Sequence, residues 1–179
     1  MFRSLLLGAG LAAVALVSLP ALAADMPSGM VIAPDVSDAD SPAYNWDGFY
    51  ATLFAVHAFG YITDSDGVGV SVGVDKTEGN LLFGATVSAA HFSSGSMTDE
   101  SIFQAVGRAG VLLGDRVALF GLAGLGWETY HDAAYIPVGA GVELGLVDHL
   151  SLRLQYQANY ITAKDAWTNS LSSALVFHF

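Results

Sequence analysis

Between Leu150 and Tyr160 the chain changes face at every residue. Leu150, Leu152, Leu154, Tyr156, Ala158 and Tyr160 alternate with Ser151, Arg153, Gln155, Gln157 and Asn159. Successive side chains leave a strand on opposite faces, so this period of two specifies a strand with one apolar and one polar face. The final residues repeat the pattern. Leu171, Ser173, Leu175, Phe177 and Phe179 form one set; Ser170, Ser172, Ala174, Val176 and His178 form the other. Two arrangements satisfy such strands. A soluble sandwich or small barrel buries the apolar face, whereas a membrane barrel turns it out to lipid and packs the polar face inside.

The N-terminal segment separates them. Met1-Phe2-Arg3 is a short positive region, Leu5 to Val17 is apolar, and Ala21-Leu22-Ala23 is a small-x-small site. This reads as a secretory signal peptide over residues 1–23, cleaved after Ala23. A retained anchor would need about 20 apolar residues with anchoring flanks. Hydrophobic residues make up 53% of the chain and charged ones 13%, yet beyond the leader nothing reads as an apolar helix. The longest uncharged stretch, Gly79 to Thr98, is interrupted by Gly, Ser, Thr and His. So apolar a chain without a spanning helix is either a large soluble core or a barrel with its apolar face outside, and the leader favours the barrel. An aromatic ending on that face is how bacterial outer-membrane barrels commonly finish. Phe177 and Phe179 are therefore expected to anchor at the interface and to act as an assembly signal.

Charge and cysteine content narrow the function. Net charge is −11, or −12 without Arg3, and only five Lys and Arg remain. Nucleic-acid binding is excluded, because phosphate neutralisation needs a basic footprint. The chain has no cysteine, which excludes disulfides, thiolate zinc sites and a lipid-modified N-terminal Cys.

Residues 24–45 hold Pro27, Pro34, Pro42 and four aspartates (Asp25, Asp35, Asp38, Asp40) with little periodicity, and read as a flexible acidic periplasmic spacer. Residues 46–179 divide into eight strands, at roughly 48–61, 68–77, 81–92, 101–112, 116–130, 135–146, 150–161 and 168–179. The expected fold is an all-β, eight-stranded, antiparallel up-and-down transmembrane β-barrel with short loops. Glu78-Gly79-Asn80, Leu113-Gly114-Asp115 and Val147-Asp148-His149 are tight turns. The opposite connections are Thr63 to Gly67, Ser93 to Glu100, His131 to Ala134 and Thr162 to Trp167. An even strand number puts both termini on the tight-turn side, the periplasm.

The turns predict an inward charge set. A three-residue connection at Val147–His149 places Glu143 opposite Arg153, a favourable cross-strand pair. A turn centred on Gly114 places Arg108 opposite Phe120, within reach of a cation–aromatic contact. Asp75 and Glu128 face inward by parity. Strand one is ambiguous because both its faces are apolar; His57 is outward if Phe49 is. The interior set Asp75, Arg108, Glu128, Glu143 and Arg153 suits either an ion gate or a packed polar plug, and eight strands leave little room for a lumen. Gly121, Gly124 and Gly126 are expected to ease close strand packing.

Tyr44-Asn45-Trp46-Asp47-Gly48-Phe49-Tyr50 resembles the opening of small alphaproteobacterial outer-membrane proteins, the outer-membrane immunogenic and opacity-like surface antigens. The similarity continues through Gly79-Asn80, Phe83-Gly84, Gly107-Arg108-Ala109-Gly110, Val138-Gly139-Ala140-Gly141-Val142-Glu143, Ser151-Leu152-Arg153 and Phe177-His178-Phe179. The resemblance implies an eight-stranded barrel of the OmpA/OmpX type, and such sequences carry a porin-family label. Strand three of such proteins often carries inward carboxylates where this chain has Thr86 and Ser88. Family roles in adhesion, haem uptake or host contact depend on loops, which are short here.

His91-Phe92-Ser93, with Glu100 following, resembles the His-x-Ser pair and Glu of lipid A deacylases. The resemblance implies Ser93 as nucleophile, His91 as base and Glu100 as orienter; the Asn that usually follows is absent. His131-Asp132 and Asp64/Asp66 do not make a ligand set at recognisable spacing, and no Gly-rich phosphate loop is present. No cofactor or metal is expected. The expected partners are outer-membrane lipid and lipopolysaccharide, whose phosphates could share divalent cations with acidic loop tips, plus periplasmic chaperones and the barrel-assembly machinery. The expected role is a monomeric, non-enzymatic one in envelope integrity and surface presentation. A minor solute or ion pore is the second expectation, and a His91/Ser93 hydrolase the third.

Overall fold

The computed structural model describes residues 44–60, 64–93, 100–129 and 132–179. Its eight strands are β1 (Gly48–Gly60), β2 (Ser65–Glu78), β3 (Leu81–Ser93), β4 (Glu100–Leu113), β5 (Val117–Glu128), β6 (Ala133–Val147), β7 (Leu150–Ile161) and β8 (Ala166–His178). Each pairs antiparallel with its chain neighbours, and β1 closes on β8, giving the expected closed eight-stranded barrel. Closure leaves no unpaired sheet edge, a condition for strands in hydrocarbon. The last residue joins the closure: the Phe179 N–H donates to the Phe49 carbonyl at 2.9 Å.

Side-chain alternation assigns the two faces. Phe49, Leu53, Val70, Val87, Leu125, Leu175 and Phe179 are exposed on the outside. Ser71, Thr86, Gln157 and Ser170 are buried inside. Apolar-out and polar-in is the membrane solution, the inverse of a soluble barrel. Strand β1 is resolved: Tyr50, Thr52 and Val56 are buried, while Phe49 and His57 are exposed.

The tight turns are local sequence effects. Glu78 pairs with Leu81 across Gly79-Asn80, and Gly79 has φ +62, a conformation glycine adopts without a Cβ clash. Leu113 pairs with Val117, so the β4–β5 turn is the three residues Gly114-Asp115-Arg116, centred one residue later than expected. At β6–β7 the ladder shifts between Gly145 and Val147, adding a bulge before the turn. The β5–β6 ladder has a gap at Ile136-Pro137, because proline has no N–H to donate.

On the opposite side β2 begins at Ser65 and β8 at Ala166, earlier than the expected 68 and 168. The earlier start of β2 pairs Asp66 with His57, whose Nδ1 lies 2.8 Å from Asp66 Oδ1. Asp66 is thus part of a strand rather than a loop. The expected leader (1–23), the spacer apart from its last two residues, and His131 lie outside the described residues.

Candidate functional site

Four of the five predicted interior charges meet at the tight-turn end of the barrel. Glu143 faces inward from β6 and is fully buried. Its Oε2 accepts from Arg108 Nη1 at 2.9 Å and from Arg153 Nε at 2.8 Å. Its Oε1 accepts from Ser151 Oγ at 2.5 Å, and His178 Nε2 lies 3.1 Å away. Arg108 also grips Asp75 with two donors, Nε to Oδ1 at 2.8 Å and Nη2 to Oδ2. Asp75 is buried at the end of β2. Two guanidinium groups therefore face two carboxylates, and the layer carries no net charge from these four residues. Opposite charges paired and hydrogen-bonded to one another are how charges persist in a low-dielectric interior.

Tyr50 and Phe120 clamp the two arginines. The Arg108 guanidinium carbon is 5.0 Å from both ring centres. That of Arg153 is 4.9 Å from Tyr50 and 5.7 Å from Phe120. Each ring lies over a glycine on the neighbouring strand. A Cβ at Gly73 would collide with the Tyr50 ring, and one at Gly141 with Phe120. The Tyr50 hydroxyl bonds Thr86 Oγ1 on β3 at 2.5 Å.

The expected Arg108–Phe120 pair needs correction. Arg108 stands opposite Leu122, and Phe120 opposite Gly110. Centring the turn on Asp115 instead of Gly114 moves the register by two, which preserves the face, so the cation–aromatic contact forms diagonally across the ladder.

Beneath this layer Tyr44, Trp46, Leu82 and Ala118 form a buried cluster. Trp46 donates its indole N–H to the Asp115 carbonyl at 3.3 Å, and Tyr44 meets the His178 ring edge-on at 5.3 Å. Burial pushes the Tyr44 phenol up to about 12. Just outside, Lys76 and then Thr77 hydrogen-bond Asp47 and hold its carboxyl down at about 2.

Glu128, the fifth predicted charge, is buried and inward but stands near the opposite end. It shares a side-chain hydrogen bond with Glu100, and Lys164 acts on Glu100 from the β7–β8 connection. Between the ends run Gln157 and Gln104, joined at 3.0 Å. The interior set read from the sequence left out Ser151, His178, Tyr50 and Glu100. Parity alone would have placed His178 inside, opposite the Leu171–Phe179 set.

The hydrolase constellation is not assembled. His91 and Ser93 are exposed on the outer face, while Glu100 lies on the inward side of β4. His91 Nδ1 contacts Ser101 Oγ at 3.2 Å. The barrel wall divides the three residues. Among the described residues no group of three or more His, Asp or Glu is placed to hold a metal.

Solved structures share this architecture at low identity. The attachment invasion locus protein Ail of Yersinia pestis aligns with TM-score 0.57 and 10% identity, over 74% of this chain and 99% of its own. Neisserial surface protein A gives 0.53 and 17%, over 74% and 97%. The N-terminal β-barrel domain of Pseudomonas aeruginosa OprF gives 0.52 and 12%, over 73% and 99%. At these identities the likeness is one of fold. No curated protein sequence matches the chain. The family model described as outer membrane protein beta-barrel domain matches residues 9–179, and the chain belongs to that family.

Proposed function

We propose that this protein is a monomeric, non-enzymatic barrel of the immunogenic and opacity-like type that supports outer-membrane integrity and displays its outer loops at the cell surface. The observation that carries this reading is the packed layer around Glu143, in which Asp75, Arg108, Glu143 and Arg153 pair with one another. A conducting protein would leave such charges facing a path. The short tight turns and both termini lie in the periplasm. Phe177 and Phe179 address the chain to the assembly machinery after chaperones carry it across, and lipopolysaccharide and lipid cover the outward apolar residues. Two of the structural neighbours are named for a surface location and for attachment and invasion, and a surface role is extended to this chain on that likeness. A deletion strain tests the reading. Greater detergent sensitivity and vesiculation, restored by the gene in trans, support it; an unchanged envelope counts against it.

A minor ion or solute pore is the second reading. It is favoured by a cavity that lies between the Arg108–Arg153 layer and Glu100, and it requires a path past Glu143.

A further inference from the structure

Between the arginine layer and the loop end the barrel holds a cavity of about 130 Å³. Its walls differ in chemistry. Gln155, Gln157 and Ser170 line it from β7 and β8, and Val56, Val106 and Leu122 line it from β1, β4 and β5. Arg153 lies at its inner end and is not used up by the plug. Its side chain is 7% exposed, its Nε goes to Glu143, and its face lies against Tyr50. Its Nη2 has no hydrogen-bond partner among the described residues, and neither has Thr52 Oγ1, which lines the same cavity. Arg108 differs: three of its donors are engaged by Asp75 and Glu143. A buried guanidinium with an unused donor favours an incoming anionic oxygen, which forms a charge-assisted bond.

We propose that this cavity binds a small, singly charged organic acid, its carboxylate on the edge of the Arg153 guanidinium that lines the cavity and its hydrocarbon end against Val106 and Leu122. A halide would use the donor and leave the apolar wall unmatched, whereas pockets for small molecules combine an apolar lining with a few placed polar groups. The charge limit comes from the loop end. Glu100 and Glu128 also face the cavity, offset among the described residues by Lys164, and repulsion there scales with ligand charge, so a dicarboxylate is disfavoured. The other end is filled by Tyr44 and Trp46. Entry is therefore from the loop side.

Sodium butyrate titrated into the protein in micelles, with the arginine Nε–H signals followed by NMR at constant ionic strength, tests this. The expected result is a saturable shift of the Arg153 signal that chloride and succinate do not reproduce. Arg153→Gln removes the donor, and the side-chain amide signals of Gln155 and Gln157, which line the same cavity and shift with butyrate in the wild type, then stay unmoved. Because that change also cuts a Glu143 bond, Ser170→Leu provides a second test: it fills the cavity from β8, keeps the Glu143 partners, and weakens butyrate roughly tenfold or more. A shift that never saturates, an equal response to chloride, or full binding by Ser170→Leu overturns the proposal. So does an unmoved spectrum, which marks a cavity holding water only. The wild-type comparison decides alone if a variant fails to fold.

Discussion

Glu143 and Arg153 stand directly opposite each other on β6 and β7, and Arg153 Nε donates to Glu143 Oε2 at 2.8 Å. The same carboxylate oxygen accepts from Arg108 on β4. One buried acid thus ties strands that are not neighbours across the barrel interior.

Glu143→Ala removes the acceptor shared by two buried arginines. Breaking a buried pair leaves uncompensated charge and costs about 3–5 kcal/mol. The measurement is the urea midpoint of the folded barrel in micelles, which should fall. Glu143→Gln keeps an oxygen acceptor and should lose less.

Gly73→Val places a branched side chain where the Tyr50 ring lies. Overpacking of this kind costs about 1–3 kcal/mol, and displacing Tyr50 also unclamps both arginines. Gly79→Ala has open space around it but a φ of +62, so it should cost about 1 kcal/mol through backbone strain alone. Comparing the two unfolding midpoints separates packing from conformation; equal losses would contradict the account.

Asp47 gives a pH dependence. Its carboxyl is held at about 2 by Lys76 and Thr77, below the value of about 4 in an unfolded chain. A lowered folded-state value contributes stability above the unfolded one, and that contribution is lost as pH falls from about 4 through about 2. Lys76 is 78% exposed, so the effect is small and salt-sensitive. Asp47→Asn should be less stable than wild type at pH 6, and the difference should vanish near pH 2.

Deleting Phe179 removes both an outward ring and the N–H that reaches Phe49. The shortened protein should assemble slowly and build up in the periplasm, as read by heat-modifiable gel mobility and fractionation. Normal insertion would remove Phe179 from the account.

Much of the architecture is legible in the sequence, and the reasons are local. Alternation at Leu150–Tyr160 fixes the β7 faces, and Gly79-Asn80 fixes one hairpin. The Glu143–Arg153 pairing survived because the bulge lies beyond Gly145, nearer the turn. Arg108 and Phe120 were misaligned because three-residue turns centred on Gly114 and on Asp115 look alike in sequence, yet the even shift between them kept both residues inside. The Arg108–Glu143 bond joins β4 to β6, and no period in either strand encodes it. Glu100 was read as a loop residue beside Ser93, since strand ends beyond the bilayer carry weak alternation. His57 and Asp66 show the same limit, as their pairing depends on how far the β1–β2 ladder runs.

The central claim is that the Asp75–Arg108–Glu143–Arg153 layer and the Tyr44–Trp46 cluster close the barrel. Planar-bilayer recording of the wild type and Glu143→Gln tests it most directly. The account predicts no unitary current from the wild type and none from Glu143→Gln, because Trp46 and Tyr44 still fill the end. A reproducible wild-type conductance that changes in Glu143→Gln would contradict it and make the layer a gate.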